Sequence, residues 1–238
     1  MISCLERWSS GRKTVDHSCI LCGQTADLPV ELCTPCKKSL LNRSKSCPRC
    51  GLEFSFEEKT CSKCLIRPPV FDHCESVLGY TLEAGQLIRQ LKYNQKTSVA
   101  HVMSYLMAEH LQAHLEVLPE VIIPMPIHRN RLYRRGFNQT MEIAKYLGLI
   151  LDIPVDYKCC QRTKQIESQT GLGISERRNN VRGVFRMLRE VNYKHVAILD
   201  DVVTTGATAE ELTRVLKMSG VKNVEVWCCV RTEEHQFA

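Results

Sequence analysis

Apolar residues recur along this chain in two rhythms. Short runs rich in apolar residues predict strands at Ser76–Tyr80, Val121–Pro126, Val155–Cys160, Val184–Leu188, Val196–Leu199 and Val224–Val230. Apolar residues spaced by three and four predict helices at Gly85–Lys92, Val99–Leu115 and Gln139–Leu147. A fourth helix opens at Glu210 and Glu211 and stops near Gly220, with acid in its first turn and glycine past its end. Asn138 is placed to cap the third helix. Strands alternating with helices predict a mostly parallel sheet flanked by helices, with ligand at the carboxyl ends of the strands.

The N-terminal third follows neither rhythm. Cys19-Ile-Leu-Cys22-Gly23 leads to Cys33-Thr-Pro-Cys36, and Cys47-Pro-Arg-Cys50-Gly51 leads to Cys61-Ser-Lys-Cys64. Each cysteine of the second unit lies 28 positions after its counterpart. A C-x-x-C pair turns both sulfurs towards one ion, and a glycine directly after it permits the tight turn. Two pairs complete a tetrahedral site, so Cys19, Cys22, Cys33, Cys36, Cys47, Cys50, Cys61 and Cys64 are expected to hold two structural Zn²⁺ ions. An iron–sulfur cluster and redox dithiols are the alternatives. Consecutive pairing within each unit is simplest, and a crossed arrangement stays open. Each unit has too little apolar material for a core, so metal should supply most of its folding free energy. The expected organisation is a double zinc ribbon at 17–68 and an α/β domain at 75–238, with Arg67-Pro-Pro69 as linker.

Composition changes this picture in three ways. Fourteen cysteines without a secretory signal point to metal or reduced thiols and to a cytoplasmic location. No apolar run approaches the ~20 residues of a membrane helix, so no membrane insertion is expected. The formal charge of +6 falls to about +2 if two tetrathiolate zinc sites form, so net charge does not argue for nucleic acid. Local clusters must carry that case. Lys37, Lys38, Arg43, Lys45 and Arg49 read as solvated surface, with a phosphate-backbone contact as the alternative. His101, His110 and His114 read as solvated helix positions. Cys4 and Cys74 lack a C-x-x-C partner, while Cys159, Cys160, Cys228 and Cys229 fall in strands as small hydrophobes.

The candidate chemistry concentrates in Val196-Ala-Ile-Leu-Asp-Asp-Val-Val-Thr-Thr-Gly-Ala-Thr208. Thr204–Thr208 is a tight loop between a strand end and a helix N-terminus, where backbone N–H groups and the helix dipole hold a phosphate. Asp200 and Asp201 would repel a phosphate beside them but accept two hydrogen bonds from a cis-diol. Earlier, Ile127–Gln139 gathers Arg129, Arg131, Arg134 and Arg135 in a loop suited to a polyanion. The long polar segment Gln161–Arg182, with Arg162, Lys164, Arg177, Arg178 and Arg182, has the length of a functional loop.

The Val196–Thr208 stretch closely resembles the phosphoribosyl-pyrophosphate (PRPP) motif of type I phosphoribosyltransferases. Ile123-Pro-Met-Pro-Ile-His128, Arg135-Gly-Phe-Asn-Gln139, Gln169-Thr-Gly-Leu172, Glu176-Arg-Arg178 and Asn180-Val-Arg-Gly-Val-Phe185 resemble signatures of the ComF family. That resemblance spans about Cys19 to Val230. It implies a type I phosphoribosyltransferase fold behind a zinc module. It places Asp200 and Asp201 on the ribose hydroxyls and Thr204, Thr205, Gly206, Ala207 and Thr208 around the 5′-phosphate. His128, Arg129 and Arg135 would face pyrophosphate, with Mg²⁺ bridging it to the ribose, and Gln161–Arg182 would be a closing hood. Departure of pyrophosphate would then be assisted by Asp200, Asp201, Arg162 and Arg177. The resemblance also implies natural competence, with single-stranded DNA and DNA-uptake proteins as partners. Two other readings stay open. One is a phosphoribosyltransferase of nucleotide metabolism acting on a nucleobase or amine; the other is a pair of ribbons that docks a protein. No residue reads as a general base for an acceptor, and the segment before Val70 is too short for a glutaminase domain.

Overall fold

The computed structural model describes residues 17–41, 45–54, 60–79, 81–93, 97–164 and 180–232. In chain order its elements begin with α1 (Thr34–Leu41), α2 (Ser62–Ile66), β1 (His73–Leu78), α3 (Leu82–Tyr93), α4 (Thr97–His114) and β2 (Val121–Pro124). They continue with α5 (Arg129–Arg135), α6 (Gln139–Leu151), β3 (Cys160–Arg162), β4 (Phe185–Met187), β5 (His195–Val203), α7 (Ala207–Met218) and β6 (Asn223–Arg231).

Four strands form one parallel sheet in the order β1-β6-β5-β2. The central strand β5 is apolar on both faces, with Val196, Ala197, Ile198 and Leu199 fully buried between Ile123 of β2 and Val226 of β6. That explains its unbroken apolar run. On one face α3, α4 and α6 cover Ala197, Leu199 and Trp227; on the other, α7 and the β3-β4 ribbon cover Val196, Ile198 and Val224. Helices on both faces of a parallel sheet are the architecture the alternating pattern predicted.

Three local expectations change. Val155–Cys160 is not one strand: Val155 makes an isolated parallel bridge to Ile122, and pairing resumes only at Cys160. Between them the Asp156 carboxylate accepts the N–H groups of Lys158 and Cys159, an Asx turn that competes with strand pairing. The arginine-rich loop contains a helix, α5, capped by His128 and ended by the left-handed Gly136. Its sequence hides it because no residue of α5 is buried, so no apolar stripe marks it.

The histidines of α4 also depart from expectation. His110 Nε2 lies 2.7 Å from Glu75 on β1, whose other oxygen is 2.6 Å from His73 Nε2. His101 lies edge-on to Tyr146 and 3.7 Å from Glu31. These rings pack between elements instead of facing solvent, because α4 is enclosed by sheet, α6 and the cysteine module; His114 is exposed and stacks on His110.

The cysteine module does not stand apart. Val30, Leu32 and Leu40 are fully buried in the same core as α4, and Lys37 Nζ reaches Glu109 at 2.6 Å. Lys37 is therefore an ion-paired contact and not solvated surface, whereas Lys38, Lys45 and Arg49 are exposed and Arg43 lies outside the described residues. Cys74, Cys159, Cys160, Cys228 and Cys229 are buried, as small hydrophobes should be; Cys4 lies outside the described residues. No described helix is long and apolar enough to cross a membrane.

Candidate functional site

Strand β5 runs on through the acidic pair to Val203, so both carboxylates leave the carboxyl edge of the sheet. Asp200 Oδ1 accepts the Asp201 N–H at 2.9 Å, and Asp201 Oδ1 accepts that of Val202 at 2.9 Å. Gly206 follows in the left-handed region (φ 79°) and caps α7, a position that strains any residue with a Cβ. The Thr205 hydroxyl accepts the Ala207 N–H at 3.2 Å. Ala207 and Thr208 already belong to the first turn of α7, where N–H groups have no partner within the helix. Asp200 and Val202–Ala209 line a concavity of about 40 Å³ here.

A second cavity of about 180 Å³ opens alongside and shares Asp200, Val202 and Thr208 with the first. Cations surround it: Lys92 from α3, Arg131 and Arg135 from α5, and Arg162 from β3. The helix α6 delimits its wall, because Asn138 Nδ2 and Thr140 Oγ1 both donate to the Met125 carbonyl, at 3.2 and 3.1 Å. Lys92 Nζ sits 3.2 Å from Asp201. Two donors in this wall, Arg162 Nε and Gln139 Nε2, are buried without a hydrogen-bond partner among the described residues.

Electrostatics divides the two halves. Burial and then the adjacent Asp201 carboxylate push Asp200 well above the usual carboxylate range. Burial, then the Arg131 charge, pulls Arg162 below its ordinary value, while Asp200 acts against that pull. Lys92 meets Asp201 yet Asp200 stays raised, and Arg131 disfavours the charge on Arg162. A ligand that brings hydroxyls and a divalent cation to the acidic half and phosphate oxygens to the arginine half relieves both.

Among the residues singled out by sequence, Asp200, Thr204, Thr205, Gly206, Ala207, Thr208, Arg135 and Arg162 line these joined cavities, with Asp201. His128 caps α5, its Nδ1 accepting the Asn130 N–H at 3.2 Å, and neither it nor the exposed Arg129 is a lining residue. Arg177 and Arg178 lie outside the described residues, as do 165–179 of the expected hood. Arg131, one of the four arginines of the polyanion loop, lines the cavity with Arg135, whereas Lys92 and Gln139 line it without having been singled out. Lys92 gives no local signal, since a lysine in the last turn of a helix is ordinary; Gln139 adjoins the capping Asn138 and reads as helix.

The cysteines fall into two groups of consecutive pairs: Cys19, Cys22, Cys33, Cys36, and Cys47, Cys50, Cys61, Cys64. Within each group the sulfurs lie within 4.8 Å of one another, which settles the pairing order. Cys22 and Cys33 sulfurs are 3.7 Å apart, and Cys50 and Cys61 sulfurs 3.6 Å. Four ligands at the ~2.3 Å Zn–S distance on a tetrahedron stand about 3.8 Å apart, whereas a disulfide needs about 2.05 Å. The donor set therefore fits zinc. Gly23 and Gly51, each after the second cysteine of a knuckle, have φ of 74° and 73°. Burial raises Cys19 and Cys47, but N–H groups converging on their sulfurs outweigh it and bring them to about 6 and about 7.

These features define a class: a parallel α/β protein with an acidic pair and a glycine-capped turn at one sheet edge, behind two cysteine tetrads. No family model matches the chain. It is 34% identical over 224 residues to the DNA utilization protein YhgH of Escherichia coli O157:H7, covering 92% of this chain and 99% of that one. It is 31% identical over 207 residues to competence protein F of Haemophilus influenzae, covering 84% and 90%. The chain belongs to the ComF family. The solved adenine phosphoribosyltransferase of Leishmania tarentolae superposes with a TM-score of 0.37 and 13% identity over 60% of this chain and 74% of that one. That superposition is too loose to add to the strand order above.

Proposed function

We propose that the joined cavities bind PRPP, or another ligand carrying a phosphoribosyl group, together with Mg²⁺, and that the protein serves natural competence by handling single-stranded DNA in the cytoplasm. The observation that carries the ligand assignment is the placement of an acidic pair, a helix-capping turn and three arginines around two adjacent cavities that share Asp200, Val202 and Thr208. The Thr204–Thr208 segment holds the 5′-phosphate and so fixes the ribose ring with binding energy remote from C1. Asp200 and Asp201 accept the ribose hydroxyls. Arg131, Arg135 and Arg162 face the pyrophosphate, and the unpartnered Arg162 Nε and Gln139 Nε2 are donors awaiting its oxygens. Mg²⁺, when bound, neutralises the pyrophosphate. The competence assignment rests on family membership. The two cysteine tetrads hold one Zn²⁺ each, and 17–68 and 75–238 are the two functional units.

The test is calorimetric titration of the full chain with PRPP and Mg²⁺. We expect saturable binding that weakens at least tenfold in the Asp200→Asn/Asp201→Asn variant while its circular dichroism is unchanged. Equal affinity in that variant would remove the assignment. Pyrophosphate release from PRPP with a nucleobase or amine present would favour an active transferase; none with any acceptor would leave a binding role.

A further inference from the structure

A buried arginine stands behind the anion turn. Arg231, the last residue of β6, is 8% exposed, and no carboxylate among the described residues forms an ion pair with it. Its hydrogen bonds go to carbonyls. Nη1 donates to Val203 at 2.9 Å, to Thr232 at 2.9 Å and, closely, to Thr204; Nε donates to the Cys50 carbonyl at 2.7 Å. One guanidinium thus joins a ligand of the second cysteine tetrad to the first residues of the anion turn. Its surroundings allow little slack. A Cβ on Gly51 would come within 2.8 Å of the Cys74 sulfur and 3.6 Å of Arg231 Cγ, and the Cys74 N–H donates to Pro48 at 2.9 Å.

We propose that Arg231 is a positioning residue that couples the second cysteine tetrad to the phosphate-binding turn. The peptide group is planar and trans, so its C=O and N–H point in opposite directions. Holding the Val203 and Thr204 carbonyls inward turns the Thr204 and Thr205 N–H groups outward, away from Arg231. Those are the donors an anion above the turn requires. Charged hydrogen bonds are strong and directional, so the guanidinium, together with the Thr232 N–H that also donates to the Val203 carbonyl at 3.1 Å, sets this orientation before ligand arrives. A metal-filled tetrad keeps the Cys50 carbonyl in place and with it the guanidinium.

The ligand half of this proposal rests on the phosphoribosyl reading; the coupling half does not, and amide hydrogen exchange reads it directly. In full-length Arg231→Gln, and separately in Cys64→Ser with Arg231 intact, exchange of the Thr232 N–H, which donates to the Val203 carbonyl at 3.1 Å, should quicken at least tenfold while α4 stays protected. Ribose 5-phosphate should bind at least tenfold more weakly in both variants. Pyrophosphate with Mg²⁺, which uses the arginine wall, should bind as in the wild type. Arg231→Lys, which keeps the charge and one donor set, should recover most of the ribose 5-phosphate affinity. Unchanged exchange in Cys64→Ser overturns the coupling. Equal loss of both ligands, or equal quickening throughout the sheet, shows general destabilisation and overturns it also. Should Arg231→Gln not fold, Cys64→Ser and Arg231→Lys decide. If wild-type protein binds neither probe, the phosphoribosyl reading fails and hydrogen exchange still judges the coupling.

Discussion

Asp200 pays for its position. Its carboxyl is pushed up by burial and by Asp201, so the folded state binds its proton more tightly than the unfolded chain does. A group raised in this way makes folding less favourable as pH climbs through the ordinary carboxylate range towards the folded value. Asp200→Asn should therefore unfold at a higher temperature than the wild type at pH 7, by about 2–4 °C per kcal/mol recovered. The two should converge near pH 4. A variant no more stable at pH 7 would mean that Lys92 already offsets the penalty through Asp201. Legibility at this scale was uneven. Asp200 through Thr208 announced themselves because acids, hydroxyls and glycine stand consecutively at a strand end. Lys92 could not, since it reaches Asp201 from a helix more than a hundred positions earlier.

A few ionic contacts tie the elements together beyond their apolar cores, and no periodicity encodes them. Glu75 is one: burial works against its charge, but His110 and His73 together bring it down to about 2. Its folded value lies below the ordinary 4.5, so its stabilisation is full above that value and fades as pH falls towards 2. His73 runs the other way: Glu75 holds it above 6.5, and its contribution is complete below 6.5 and fades as pH rises through the raised value. Glu75→Gln should cost roughly 2 kcal/mol near pH 6, less than a fully buried pair because His73 is part-exposed. Chemical denaturation at pH 3 and pH 6 checks it; the variant should lose less stability than the wild type between those points. The apolar runs of β2, β5 and β6 and the helix patterns of α3, α4, α6 and α7 could be read because burial on a face imposes a period. α5 buries nothing, and β3 is three residues that follow the Asp156 turn and pair with β4 more than twenty positions further on, so neither left a periodic trace.

Across the molecule, two short cysteine units with repeated spacing disclosed the eight sulfurs, yet neither which pairs come together nor their place in the core. Metal analysis of the purified chain should give two zinc ions per molecule; one would overturn the double assignment. Chelation should uncover Val30, Leu32 and Leu40 from the core they share with α4. The expected outcome is a lower thermal midpoint and binding of a hydrophobic dye, both reversed on adding zinc.

That shared core bears on biosynthesis. A chain leaving the ribosome presents its N-terminal residues first and extends by roughly 5–20 residues per second. The first tetrad ends at Cys36, but the helix that covers Leu32 and Leu40 ends only at His114. For several seconds the nascent protein holds every ligand for its first ion while the apolar side of that unit still faces water. On the zinc reading proposed above, metal capture is an ordering event open to the unit before α4 arrives. Zinc scarcity would act at the ribosome, on chains that never close their core, before it touched protein already folded.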